Sequence, residues 1–440
     1  MTEPALHQSR EPAVTATALV ESLRAGEVSA EDTMRRTLDH ISRTEPRVHA
    51  FVDLKPQQAM EAALAADRVP AEERGPLHGL PIGVKEVFDV AGMRCTWGTS
   101  IHEDRIPESD AECVRRMKNA GAIVVGTLVS TEYAIAAAGP TLNPHDPSRT
   151  PGGSSSGPGA AVAAGMVPLA LGSQTVGSIV RPSVYCGVFG LKPTHGAIPS
   201  LGGMPLSPCI DHPGVMAMAP EDIALAARVL YGPMAGDPMS VAVAPPGTPP
   251  STGELRVLVA GGMPGSPAGA ASQDAVRQAA QRLGRAGARL EEFTFPPSYS
   301  GVVDTLYTLM CRDMALIHGG DYDSAGGQMS EHLRGLIARG RDITGTQFDE
   351  ARTRALHWRA ELEFVLGSDG VLLSPATEGV APPLAKGTGS NRLQALWSLV
   401  GLPVIAVPTG KHEGLPIGVQ LGASAGREDL LIAAASTCAG

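Results

Sequence analysis

The chain has 440 residues, enough for one large domain or two to three average ones, and a formal net charge of −10. That charge, with no run of five basic residues anywhere, excludes the usual footprint of a nucleic-acid partner but leaves a locally positive pocket possible in principle. Charged residues make up only 18% of the chain, below the usual ~25%, which suits a large body that hides much of its length.

Six cysteines (Cys95, Cys113, Cys186, Cys209, Cys311 and Cys438) show no C-x-x-C pair and no regular spacing. They read as reduced thiols rather than disulfides or metal ligands. No basic segment followed by an apolar one opens the sequence, and no apolar run approaches the ~18 residues of a membrane span. The expectation is a cytoplasmic protein with no membrane partner.

Residues 1–12 read as a tail. A helix is predicted over 16–24, ended by Gly26, and Ser29 with Asp32 caps a second helix running to about Ser42. Its apolar residues Met34, Leu38 and Ile41 recur at helical spacing. A strand over 48–54 and an alanine-rich helix over 57–68 follow. The stretch L-P-I-G-V at 80–84 is a short apolar strand that ends on Lys85. Lysine is rarely buried without a partner, so Lys85 either snorkels, pairs with Glu86 or Asp89, or does chemistry.

A helix over 114–120 and a strand over 122–125 lead to a polar loop at 143–150. Two glycine–serine clusters come next, G-G-S-S-S-G at 152–157 and G-S-Q-T-V-G-S at 172–178, on either side of an alanine-rich segment. Each sits where strand or coil should turn into helix, a place where free backbone N–H groups and a hydroxyl converge. A helix is predicted from about Ser154, and Pro168 opens a strand over 169–171. After Pro193 a Gly/Pro-rich connection runs to a helix over 221–230. Strand 255–259, helix 273–286 and strand 289–295 make an α/β unit, and 300–366 is helical. Strands over 371–373, 404–407 and 417–421 and helices over 393–400 and 427–437 complete the chain. The alternation predicts an α/β fold built on a mixed, mostly buried sheet.

The two serine clusters, together with G-L-P-I-G-V-K-E at 79–86, resemble in content and order the signature region of the amidase signature family, serine amidohydrolases with a Ser-Ser-Lys triad. The likeness runs over roughly 15–437, including the C-terminal G-L-P-V-I-A-V-P and G-L-P-I-G-V-Q-L, and is weakest across 232–370. It implies the amidase signature fold, with helices on both faces of the sheet, as a single domain over 13–440. The signature core would lie at about 75–195 and a substrate-shaping helical region at about 232–370. Carried over residue by residue, Ser178 matches the nucleophile, Lys85 the general base, and Ser154 the bridging serine whose peptide bond is cis in the family. The resemblance implies a small-molecule amide as substrate; no cluster has metal-ligand spacing and the glycine patterns lack the context of a nucleotide site, so no metal and no cofactor are expected. A homodimer is common among family members.

Amide cleavage needs a nucleophile, a base that later returns the proton to the leaving amine, and donors for the oxyanion. A desolvated Lys85 would be uncharged and able to take a proton from Ser154, which takes one from Ser178. The backbone N–H groups of Thr175, Val176 and Gly177 would meet the oxyanion. Val176 stands where the family has glycine, and its β-branched side chain disfavours a positive φ. Arg181 lies three residues after the nucleophile position instead of two. If a helix starts at Ser178, that spacing brings Arg181 to the same face, where its planar fork would grip a substrate carboxylate, an arrangement resembling bacterial malonamidases. The bland alternative ties Arg181 to a nearby carboxylate or carbonyl.

Competing readings follow from the same residues. G-S-S-S-G at 153–157 matches the G-x-S-x-G elbow with Ser155 as nucleophile, but Pro144, Pro147 and Pro151 interrupt the strand that the elbow requires. A transferase that hands the acyl group or ammonia to an acceptor other than water shares the first chemical step. A scaffold that kept the fold and lost turnover has Val176 as its support.

Overall fold

Thr15 caps the first helix, α1 (Ala16–Ala25), and Gly26 in the left-handed region ends it. The structure, a computed structural model, describes residues 15–135, 137–266 and 268–439; the expected tail at 1–12 lies outside them. Helix α2 (Ala30–Val48) starts where expected, with Ser29 accepting from the Asp32 N–H, but runs well past Ser42. Buried Thr44 and Val48 extend the apolar stripe begun by Met34 and Ile41, so packing carries the helix through a polar stretch.

In chain order there follow β1 (Phe51–Leu54), α3 (Pro56–Ala66), β2 (Pro81–Lys85), α4 (Glu112–Asn119), β3 (Ile123–Leu128), α5 (Ser156–Ala163), β4 (Leu169–Gln174), α6 (Val180–Cys186), β5 (Phe189–Lys192), β6 (His212–Ala217) and α7 (Pro220–Leu230). The second half holds β7 (Arg256–Ala260), α8 (Ala270–Arg285), β8 (Arg289–Phe293), α9 (Val302–Ile317), α10 (Gly319–Ala325), α11 (Glu331–Asp342), α12 (Gly345–Leu366), β9 (Gly370–Pro375), α13 (Ala395–Val400), β10 (Val404–His412), β11 (Leu415–Ala423) and α14 (Glu428–Cys438).

All these strands join one mixed sheet in the order β1-β3-β2-β4-β6-β5-β10-β11-β9-β7-β8. The parallel pairs are β2 with β3 and β4, and β7 with β8 and β9. Between them lies an antiparallel centre formed by β6, β5, β10 and β11. Residues on β4 divide between two cores: Leu169 and Leu171 join the larger one, Ala170 the smaller one built with α2, α3 and α5. Both faces of the sheet are therefore covered, as the α/β expectation required.

Sequence reasoning missed β6. Its residues H-P-G-V-M-A lie inside the Gly/Pro-rich connection, and Pro213 argues against a central strand. Gly214 explains the exception: a Cβ there would lie 2.2 Å from the Leu191 carbonyl oxygen, so only glycine lets β5 pair so closely. The consequence for the site is direct. In the parallel register Val84 faces Leu171, so Lys85 and Ser173 emerge side by side at the carboxyl ends of β2 and β4. That edge is where open α/β sheets place their ligands.

Candidate active site

Lys85 is the last residue of β2 and is fully buried. Its Nζ lies 2.7 Å from Ser154 Oγ and 2.8 Å from Ser173 Oγ. Neither carboxylate that could have neutralised it does so. Glu86 accepts from the Ser130 N–H and from the N–H and hydroxyl of Thr96. Asp89 is taken by Arg105. With no ion pair among the described residues, burial pushes the amine down to about 7, against the opposing charges of Glu86 and Asp211. The bland readings of Lys85 as a snorkelling or salt-bridged lysine do not describe it.

A second buried lysine provides the contrast. Lys192 at the end of β5 donates to the carbonyls of Leu402 and Pro193, at 2.6 and 3.1 Å. Carbonyls have no proton to exchange; the hydroxyls facing Lys85 do.

Ser154 sits in the turn before α5, and the Gly153–Ser154 peptide bond is cis, as the resemblance implied. The Ser154 carbonyl accepts from the Thr131 N–H, and the next N–H, of Ser155, donates to the Ser178 carbonyl, each at 3.2 Å. The two serine clusters are thus stitched to each other through backbone. Ser155 Oγ turns to the β4 backbone at Ser173, and Ser156 Oγ donates to the Val129 carbonyl. Coil, not strand, precedes this cluster, so the elbow reading with Ser155 as nucleophile lacks its scaffold.

Ser178 lies in the turn between β4 and α6, almost entirely buried, and its hydroxyl makes no hydrogen bond among the described residues. The turn is held from several directions. Gln174 Oε1 accepts from the N–H groups of Ile179 and Val180, capping α6 with a side chain from the strand before it. Gln174 Nε2 donates to Ser398 Oγ, which donates to the Val176 carbonyl at 2.7 Å. Thr175 Oγ1 donates to Asp211 Oδ1 at 2.6 Å. The backbone N–H groups of Thr175, Val176, Gly177 and Ser178 donate to no protein acceptor among the described residues. Val176 keeps an ordinary negative φ and buries its side chain in the larger core, so the departure from glycine strains nothing. Gly177 is the crowded position: a Cβ there would lie 2.4 Å from Gln394 Oε1, so the Gln394 side chain would have to move.

Arg181 is buried in α6, which begins at Val180 and not at Ser178 as the face argument assumed. The Arg181 N–H still donates to the Gly177 carbonyl at 3.0 Å, so the helical turn starts earlier than the regular helix. Its Nη2 donates to the Gly153 carbonyl and to Thr388 Oγ1. Its Nε and Nη1 have no partner, and no carboxylate pairs with it among the described residues. Burial holds the guanidinium below its ordinary range. The carbonyl tie expected as the bland alternative is therefore present at Gly153 and the carboxylate tie is not, while two donors of the desolvated cation stay unengaged and could meet an anionic group.

A cavity of ≈ 80 Å³ opens beside Ser173 and Thr175, with Phe88, Met204, Leu206 and Asp211 among its walls. Gln174, Ser398, Asp211 and Ser173 escaped the sequence reading. Ser173 and Gln174 stood inside the second serine cluster; nothing in sequence linked Ser398 or Asp211 to it.

A model of the family described as Amidase matches residues 32–432. The chain is 34% identical to AtzE, which forms part of the 1-carboxybiuret hydrolase of Pseudomonas sp. (strain ADP), covering 94% of this chain and 96% of that protein. It is 33% identical to one of the subunits of the glutamyl-tRNA(Gln) amidotransferase of Chloroflexus aurantiacus, covering 93% and 92%. Among solved structures, one of a vestigial protein complex bearing on the origins of an s-triazine catabolic enzyme superposes with a TM-score of 0.88 at 32% identity, over 96% of this chain and 98% of that one.

Proposed function

The chain belongs to the amidase family, and we propose that it cleaves the C–N bond of a small amide with Ser178 as nucleophile, Ser154 as proton relay and Lys85 as base. One observation carries the assignment: a fully buried lysine, without an ion pair among the described residues, whose Nζ is 2.7 Å from the Ser154 hydroxyl. An uncharged amine there accepts the Ser154 proton while Ser154 takes that of Ser178. Ser178 Oγ attacks the carbonyl carbon, and the carbonyl oxygen becomes an oxyanion facing the unengaged N–H groups of residues 175–178. Collapse of this intermediate breaks the C–N bond. The proton held at Lys85 returns through Ser154 to the departing nitrogen, leaving an acyl-enzyme on Ser178. Water, deprotonated by the same relay, then releases the acid. The Ser178 hydroxyl has no hydrogen-bond partner among the described residues, and such catalytic hydrogen bonds commonly tighten only in the complex.

Arg181 carries the substrate preference in this reading. Its idle Nε and Nη1 would hold a carboxylate of the substrate beside the scissile bond. The relative named for 1-carboxybiuret acts on an amide that bears a carboxyl group, which supports the same class here.

A second reading passes the acyl group or ammonia to an acceptor other than water, and the likeness to part of an amidotransferase favours it. One experiment separates these readings. Small primary amides with and without a free carboxylate are incubated with wild type and Ser178→Ala, and ammonia is measured. Release by wild type alone supports hydrolysis; equal release by both proteins removes the mechanism; release by wild type only on adding an amine acceptor supports transfer.

A further inference from the structure

Asp211 lies just before β6, outside every motif that pointed to the site, and three donors converge on it. Its Oδ1 accepts from Thr175 Oγ1 at 2.6 Å. Its Oδ2 accepts from the N–H groups of Leu206 and Ser207, each at 2.8 Å. Ser207 passes the connection on: its hydroxyl donates to Asp313 Oδ2 on α9 at 2.6 Å. No cation pairs with Asp211 among the described residues, so the carboxylate is spent wholly on these hydrogen bonds.

Thr175 is the first residue of the turn that carries the free N–H groups and Ser178. The turn is held at Val176 by Ser398 from one direction and at Thr175 by Asp211 from another. Among the described residues nothing else polar grips the Thr175 side chain. We propose that Asp211 is a positioning residue for amide cleavage: it clamps Thr175 to the 206–207 loop and so holds the N–H groups of the following residues where the oxyanion forms. The clamp rests on the reading of Ser178 as nucleophile. It also explains how the helical region reaches the chemistry, since Asp313 on α9 secures the loop that secures Asp211.

A second effect is electrostatic. The Asp211 charge acts on the Lys85 amine, favouring its protonated form. The other titratable groups around this pair are Glu86, held by Thr96 and Ser130; Asp313, held by Ser207 and Cys209; Cys209 itself; and His212, whose Nδ1 faces the carbonyls of Ile210 and Gln174. Neutralising Asp211 therefore makes Lys85 easier to deprotonate, a change that loosening the turn alone does not cause.

The test compares Thr175→Val, which keeps shape and loses the hydroxyl, with Thr175→Ser, which keeps the hydroxyl, and with Asp211→Asn; Ser178→Ala is the control. Steady-state ammonia release from a small primary amide is measured from pH 5 to 9. Thr175→Val should lower kcat about 10- to 100-fold with KM within about twofold, because the lost geometry matters only once the oxyanion forms. Thr175→Ser should stay within about threefold of wild type. Asp211→Asn should lose kcat similarly and shift the acid limb of kcat/KM to lower pH, a shift absent from Thr175→Val. Wild-type kcat in Thr175→Val, equal damage in Thr175→Ser and Thr175→Val, or a loss confined to KM overturns the clamp. The threonine pair decides the matter even if Asp211→Asn does not fold. An inactive Ser178→Ala alongside a fully active Thr175→Val overturns the clamp alone; an active Ser178→Ala overturns the site reading and the clamp with it.

Discussion

The burial of Lys85 sets a measurable pH limit on catalysis. The amine acts as base only when uncharged, and its surroundings bring it from the ordinary 10.5 down to about 7. The protonated form is therefore inactive and gains ground as pH falls. The neutral fraction is one half near pH 7 and about a tenth one pH unit lower, since each unit is a tenfold change in the ratio. The expected profile of kcat/KM for a non-titrating primary amide is a plateau above about pH 8 and a limb of unit slope below about pH 6. Desolvation drives this lowering, and Glu86 and Asp211 oppose it. Ammonia release, assayed from pH 5 to 10 at constant ionic strength, checks the result. Two outcomes refute the reasoning. A profile still climbing tenfold per unit at pH 9 would mean that the lysine titrates as in water. A flat profile from 5 to 9 would mean that no base of this kind limits the reaction.

Two further perturbations bear on specificity and packing. Arg181→Ala should raise KM for a carboxylate-bearing amide by about 10- to 100-fold, from the ~1.5–3 kcal/mol of a hydrogen bond to a charged group, and change KM for a neutral amide of equal size far less; equal effects on both would remove the gripping role. Gly340→Ala should lower the urea midpoint, with a loss of at least ~1–3 kcal/mol from overpacking, because a Cβ at Gly340 on α11 would lie 1.8 Å from the Cys311 carbonyl oxygen on α9. An unchanged midpoint would show that the two helices separate at little cost.

The geometry distinguishes residues that were visible as chemistry from residues visible only as neighbours. Lys85, Ser154 and Ser178 stood out because they recur in a known order with glycines around them, and the structure brings Lys85 and Ser154 into contact. Ser155 and Ser156 stand beside Ser154 in the same cluster, and both hydroxyls are absorbed by backbone carbonyls. Arg181 was legible as a charge near the nucleophile position. That its partner is not a carboxylate became evident only when Gly153 and Thr388 arrived around it.

Local sequence determined what local forces control. Period and caps set α1, α3, α7 and α14 to within a few residues, and apolar runs marked β2, β7 and β11, because each signal spans only a turn or a strand. Tertiary structure decided the rest. The 19-residue length of α2 came from its packing face, and β6 exists because Gly214 admits a neighbouring backbone. The protonation state of Lys85 depends on which carboxylates lie close and which are already engaged by Thr96, Ser130 and Arg105. Asp211 and Ser398 reach the 175–178 turn from 36 and 222 residues away along the chain. Contacts of that separation leave no periodicity and no motif behind, so only the closed fold reveals them.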